Sequence, residues 1–296
     1  LLKLAEIASE KGCQIYEKTR VVDIEDNVGM YTLKTENGRR ITAERLVITS
    51  HYPCYNKAGM YFSRLWTDRS YVIAIKTKEK YPGGMYITAE EPGRSLRSQN
   101  TDDGELILVG GEHHKTGQGI DTIKHYKALV DYATEHFTVL DIPYRWSAQD
   151  CMTLDDIPYI GRFKSDTPNL YIATGFGKWG MTNSTVASLL LRDLIIMGRS
   201  PWQEVYNPSR KTIAASAKTF VMENLNVAKE LIKGKLASIP EDVELEPGEG
   251  KVVEVGGEKA GAYKDYDGKV YVVNTTCTHM GCELKWNSAE KTWDCP

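Results

Sequence analysis

The stretch LYIATGFGKWGMTNSTVASLLLRDLIIMG, residues 170–198, decides the fold. Leu170 to Thr174 is a short apolar run without alternation, the pattern of a strand buried on both faces. Gly175, Gly177 and Gly180 follow, and apolar residues then recur at helical spacing from about Met181 to Met197, where Gly198 ends the helix. A buried strand that turns through glycines into a helix is one step of an α/β domain. Glycines let the backbone approach a ligand closely, and amides at a helix start face it with the positive end of the dipole. Such a turn suits an anion or an electron-rich ring; a tight connection that binds nothing is the alternative.

Working outward, the first fifty residues read as a helix (1–11) stopped at Gly12, a short strand (14–16), strands at 21–24, 30–35 and 40–43, and a buried strand at 46–49. Asn37-Gly38 is expected to supply positive φ angles to a tight hairpin. Helix, strand, meander and buried strand make half of a nucleotide-binding α/β domain. From about Asp68 the pattern becomes alternating strands (71–76, 84–89, 105–110 and near 144–149) with one helix at 121–137, an inserted α+β layer. Residues 208–234 read as a helical connector, and the Pro/Gly-rich acidic run 240–250 as a boundary. Short strands at 251–255, 260–264 and 269–273 then form a small all-β unit with a turn at Asp267-Gly268. The chain opens without methionine inside an amphipathic helix, so it is expected to be part of a longer protein.

The tail carries the sharpest chemistry. Cys277-Thr-His279-Met-Gly-Cys282, a Trp286 to Trp293 hairpin and Cys295-Pro296 put two thiolates and an imidazole on facing loops, most of a metal site. This spacing resembles the Rieske family, whose boxes read C-T-H-x-G-C and C-P-x-H and whose [2Fe–2S] centre has two Cys on one iron and two His on the other. The resemblance implies Cys277, His279 and Cys295 as ligands, with the second histidine two positions beyond Pro296. It also matches Cys282 to a cysteine that braces the loops in many Rieske domains by pairing with one beside the second box. A structural zinc site is the alternative.

The segment GFGKWGMTNSTVASLLLRDLI (175–195), preceded by Thr153-Leu-Asp155-Asp-Ile-Pro158-Tyr-Ile-Gly161, looks like the C-terminal flavin-binding part of the D-amino-acid oxidase and glycine oxidase superfamily. Gly12 to Glu17, Thr19 to Ile24 and Ala43 to Thr49 fit the same superfamily. Together with the tail this resembles bacterial FAD-dependent oxidoreductases with a C-terminal Rieske domain. The resemblance implies Val22 beside the adenine and Gly175, Phe176, Gly177, Lys178, Trp179, Gly180, Met181 and Thr182 beside the isoalloxazine. A helix N-terminus there would raise the electron affinity of the ring. The family's Gly-x-Gly-x-x-Gly turn, which binds the pyrophosphate, is not in these 296 residues, so this stretch alone is expected to be inactive.

Catalytic candidates are weaker. His113 and His114 close a strand in Gly110-Gly-Glu112-His113-His114-Lys115-Thr-Gly117 and could face the flavin and orient a substrate, or be structural; Lys178 is better positioned but not diagnostic. Arg94 and Arg97 could pair with a substrate carboxylate. Cys13, Cys54 and Cys151 read as buried small hydrophobes. With 37 basic and 40 acidic residues and no basic stripe, nucleic acid is excluded as a partner, and no apolar run reaches membrane-spanning length. Few, scattered cysteines fit a reducing cytoplasm.

The expected architecture is therefore an α/β FAD-binding domain, in part (1–68 and 151–207), an inserted α+β substrate domain (69–150), a connector (208–250) and a partial all-β Rieske-like domain (251–296). The expected function is FAD-dependent oxidation of a small, amine-containing substrate, with electrons passing between flavin and a Rieske [2Fe-2S] cluster and a redox partner protein. A non-catalytic electron-transfer or redox-sensing module is the alternative.

Overall fold

A computed structural model describes residues 1–27, 29–55, 59–119, 121–210, 213–236, 243–277 and 281–296, the side chains of 213–218 and 233–236 excepted. In chain order the elements are α1 (Leu2–Glu10), β1 (Val21–Asn27), β2 (Met30–Thr35), β3 (Arg40–Ala43), β4 (Leu46–Ile48), β5 (Leu65–Thr77), β6 (Met85–Ile87), β7 (Arg94–Thr101) and β8 (Gly104–Lys115). Then come α2 (Ile123–His136), β9 (Val139–Thr153), β10 (Tyr159–Arg162), β11 (Leu170–Thr174), α3 (Gly180–Met197), α4 (Gln203–Tyr206) and α5 (Ile213–Leu236). The tail adds β12 (Gly250–Val255), β13 (Glu258–Lys264), β14 (Val270–Asn274), β15 (Lys285–Asn287) and β16 (Thr292–Asp294). They form two compact units, one of residues 1–61, 157–175 and 179–211, the other of 62–156, 176–178 and 212–296.

In the first unit, β11 runs parallel to β4 and antiparallel to β10. All five residues of β11 are buried, as the unalternating run requires. Helix α3 buries Ala187, Leu190, Leu191 and Leu194, one stripe at i, i+3, i+4 and i+7, and Gly198 ends it in the left-handed region at φ 73°. The same unit holds the meander β1-β2-β3. At its hairpin only Gly38 takes a left-handed φ, 81°; Asn37 instead accepts a hydrogen bond from Thr35 Oγ1 at 2.5 Å. Residues 14–16 are not a strand: they pair with no strand among the described residues, and Ile15 and Tyr16 are exposed. Helix α1 buries none of its residues, so the apolar stripe of Leu2 and Leu4 lies open to solvent.

The second unit is built on an antiparallel sheet of order β6-β7-β8-β5-β9. Strand β7 went unread because Arg94 to Thr101 is polar; it survives as the penultimate strand, through backbone pairing with β8 and β6. Tyr71, Ile73 and Ile75 alternate along β5 with Ile107 and Val109 on β8, and α2 lays Tyr126, Leu129 and Ala133 on that face. In the tail, β12-β13-β14 form an antiparallel sheet and β15-β16 a hairpin. The hairpin packs its Trp286 on the bare backbone of Gly250 and its Trp293 on Gly261, where any Cβ would overlap the ring. The two indoles are 5.2 Å apart and Tyr263 stacks on Trp286.

Candidate functional site

The described residues of the first cysteine box are joined at its base. Thr276 bridges Glu283, the Cys277 N–H donates to the Cys282 carbonyl at 2.8 Å, and the Gly281 N–H donates back to the Cys277 carbonyl at 2.9 Å. Gly281 takes a left-handed φ of 70°, a conformation that favours glycine. The second box begins where β16 ends. There Cys295 hydrogen-bonds with Cys277, and that bond, then burial, then the nearby Cys277 and Cys282 push its thiol well above the ordinary range. Thiols crowded this closely hold their protons only while no cation is present; a bound metal reverses that preference and takes both as thiolates. The pair therefore fits the thiolate half of a cluster site. His279 lies outside the described residues, and among those described no group of three or more ligands is arranged to hold a metal ion. No disulfide joins the six cysteines. Cys282 is buried, whereas Cys13 and Cys54 are exposed, against expectation, because they lie outside helices and strands with no layer packed over them. Cys151 is buried as expected, and burial pushes its thiol up to about 12, which leaves it inert.

The glycine turn is held by backbone rather than by side chains. Gly175 and Gly177 take left-handed φ angles of 72° and 54°, and the Gly177 N–H donates to the Cys151 carbonyl at 3.0 Å. Residues 178 to 182 are exposed, with Trp179 and Met181 each at 71%. A Cβ at Gly180 would meet nothing within 4 Å, so nothing among the described residues packs on the start of α3 there. Lys178 is tethered, its Nζ 3.1 Å from the buried carboxylate of Asp68. Val22, in the bulged start of β1, is 55% exposed. A separate cavity of about 240 Å³ lies at the opposite end of α3, lined by Gly161, Arg162, Leu194, Gly198 and Asn207 among others.

His113 and His114 do not act as a pair. A bulge in β8, with Glu112 at φ 56°, leaves His113 exposed and turns His114 inward. His114 stacks on His125 at 4.5 Å, its Nε2 lies 3.0 Å from the Tyr71 hydroxyl and its Nδ1 2.8 Å from the Lys115 carbonyl. Both ring nitrogens are thus engaged in structure, and burial, then His125, hold its pKa below the ordinary imidazole value. Arg94 is occupied too: its guanidinium pairs with Glu112 at 2.5 Å, and Glu112 in turn reaches His125 Nδ1 at 3.0 Å. Arg97 is exposed.

Residues 1–194 match the family described as FAD dependent oxidoreductase. The chain belongs to that family. Residues 236–296 of this oxidoreductase chain match the Rieske [2Fe-2S] domain. Over 299 aligned residues it is 42% identical to YhfW of Bacillus subtilis (strain 168), which carries the name of a Rieske 2Fe-2S iron-sulfur protein. The alignment takes in all of this chain and 58% of the relative, so the chain spans less than two thirds of that protein. Among solved structures, glycine oxidase from Geobacillus kaustophilus superposes with a TM-score of 0.56 at 20% identity, covering 71% of this chain and 56% of that one. L-proline dehydrogenase from P. horikoshii gives 0.55 at 19%, covering 70% and 57%. At these identities the likeness is one of fold. The two domain matches imply FAD and a [2Fe-2S] cluster as the cofactors of the oxidoreductase.

Sequence reasoning missed Asp68, Tyr71 and His125, whose partners come from distant strands. It also missed Arg69, Gly117 and Asp294, although Asp294 directly precedes a candidate ligand.

Proposed function

We propose that the protein containing this chain oxidises a small amine-containing substrate with FAD and exchanges the electrons with a Rieske cluster and, through it, a redox partner protein. The observation that carries this reading is the joining, in one chain, of the flavin-oxidoreductase part with two cysteine boxes whose Cys277 and Cys295 thiols meet. FAD, when bound, supplies a two-electron acceptor and the cluster a one-electron carrier. The division of labour along the chain follows the limits 1–68 and 151–207 for flavin binding, 69–150 for substrate, 208–250 for the connector and 251–296 for the cluster.

In this reading Gly175 to Thr182 and the first turn of α3 face the isoalloxazine, and the dipole of α3 favours negative charge at the ring edge nearest it. Val22 lies by the adenine. Lys178, held by Asp68, is the cation within the turn and orients substrate or ring rather than moving a proton. Cys277 and Cys295 hold one iron and His279 the other. Named relatives of this fold, glycine oxidase and L-amino acid deaminase among them, support an amine or amino acid as the substrate class. No helix among the described residues is long and apolar enough to cross a membrane. The few, scattered cysteines favour a reducing cytoplasm.

The test is anaerobic titration of the full-length protein with a panel of amines and amino acids. Bleaching of the flavin band followed by reduction of the cluster supports the reading. Reduction only by a partner reductase, with every amine inert, replaces it with the non-catalytic electron-transfer module.

A further inference from the structure

The second cysteine box is not supported by the tail alone. Asp294, the residue before Cys295, is buried and accepts hydrogen bonds from Thr292 Oγ1 at 2.9 Å, from Asn287 Nδ2 at 2.8 Å and from the Arg69 guanidinium at 3.1 Å. Arg69 belongs to β5 of the five-stranded sheet, with only 11% of its side chain exposed, and Ser147 Oγ on β9 accepts from its other terminal nitrogen at 2.7 Å. One terminal nitrogen thus reaches both carboxylate oxygens of Asp294 while Ser147 holds the other, which ties the carboxylate to the sheet. One residue further on, the peptide between Cys295 and Pro296 lies directly against Gly117, in the turn that follows β8. A Cβ at Gly117 would sit 2.5 to 2.6 Å from Pro296 N and the Cys295 carbonyl carbon, and its φ is left-handed at 67°. Space for the box therefore exists only because residue 117 has no side chain.

The same seam continues around the box. Thr122, at the start of α2, donates to Asn287 Oδ1 at 2.7 Å and accepts from the Ala289 N–H at 3.0 Å, and the Tyr126 hydroxyl donates to Glu290 at 2.5 Å. Helix α5 ties both sides, pairing Glu223 with Lys115 of β8 at 2.6 Å and Glu230 with Lys285 of β15. Sheet and tail fall in one compact unit.

We propose that the five-stranded sheet is a fixed dock for the cluster-bearing tail, and that Arg69 and Gly117 are positioning residues that set the second cysteine box from outside the cluster domain. The sheet thus shapes the cluster it carries. Arg69 also offsets the charge of Asp294, the residue before Cys295; without it an uncompensated carboxylate would lie beside the ligand and disfavour the added electron of the reduced cluster, so Arg69 raises the reduction potential. This rests on the reading of Cys295 as a cluster ligand.

The experiment uses the full-length protein reconstituted with iron and sulfide, comparing wild type with Arg69→Met, Arg69→Lys, Gly117→Ala and Gly117→Val, and measuring iron and sulfide content, electron paramagnetic resonance of the reduced cluster, midpoint potential and limited proteolysis. Arg69→Met is expected to keep its iron, lower the midpoint potential and release the tail about tenfold faster to protease, because a buried pair has lost one partner. Arg69→Lys should recover most of the potential. Gly117→Val should lose most of its iron, and Gly117→Ala should shift the resonance while keeping iron, which covers the case in which the larger variant fails to fold. Unchanged potential, resonance and proteolysis in Arg69→Met and Gly117→Ala overturn the dock. A wild-type protein that takes up no two-iron, two-sulfide cluster overturns the Rieske ligand assignment itself, a distinct failure.

Discussion

The two candidate cofactor sites are built on opposite principles. The turn from Gly175 to Thr182 is made of backbone: left-handed glycines, an open helix start and exposed Trp179 and Met181, with the Lys178–Asp68 ion pair as its tether. The second cysteine box is held by side chains, with Asp294, Asn287, Thr122, Arg69 and Glu290 buried or half-buried in one hydrogen-bonded seam. A site that receives a large planar ligand can be completed by the ligand itself. A site that receives a small charged cluster must present its few ligands already fixed, since one misplaced sulfur removes a bond to metal.

If that contrast is right, the largest effect comes from Cys295→Ser. The full-length variant should bind essentially no cluster while keeping its flavin, measured as iron per flavin; equal iron would dissolve the contrast at once. Next is the shared support. Leu129→Ala on α2 empties the face opposite Ile107 and Val109 and should cost about 2–5 kcal/mol in denaturant unfolding, with cluster occupancy falling before flavin occupancy because the seam hangs from the same helix. Gly177→Ala asks the reverse question. Its Cβ would find only ordinary contact with Met152, but a left-handed φ of 54° costs an alanine roughly 1–2 kcal/mol, so flavin occupancy should fall and iron stay unchanged.

The smallest effect sharpens the comparison through pH. His114 is kept neutral by burial, its folded pKa lying below the ordinary value of 6.5. The unfolded chain therefore takes up a proton that the folded one refuses, and this contribution to stability is full above about 6.5 and declines as pH falls below it. Urea unfolding followed from pH 7.5 to 5.5 should show that slope in wild type and lose it in His114→Asn. A slope of the opposite sign would mean that the imidazole is charged in the folded sheet.

The legibility of each region follows from the range of its interactions. Strands β2, β3 and β11 lie where alternation, the 37–38 turn and the apolar run put them, because each depends on neighbours within a few residues. The start of α3 and its stop at Gly198 were equally local. Strand β7 was hidden because its residues are polar and only pairing with β8 and β6 holds them. The role of His114 was hidden as well, since a bulge in β8, invisible in composition, turns it toward Tyr71 and away from His113.

By itself the sequence determined the chemistry: two cysteine boxes, a glycine turn between strand and helix, and an inserted layer between the parts of an α/β domain. Those are statements about residue type and short spacing, which backbone geometry and ligand preference translate directly. Only the tertiary structure decided that Arg69 and Asp294, 225 positions apart, share a buried pair and that Gly117 leaves room for Cys295-Pro296. The physical reason is that desolvated charge pairs and close backbone contacts depend on which surfaces the fold presses together, and nothing within either segment encodes its partner.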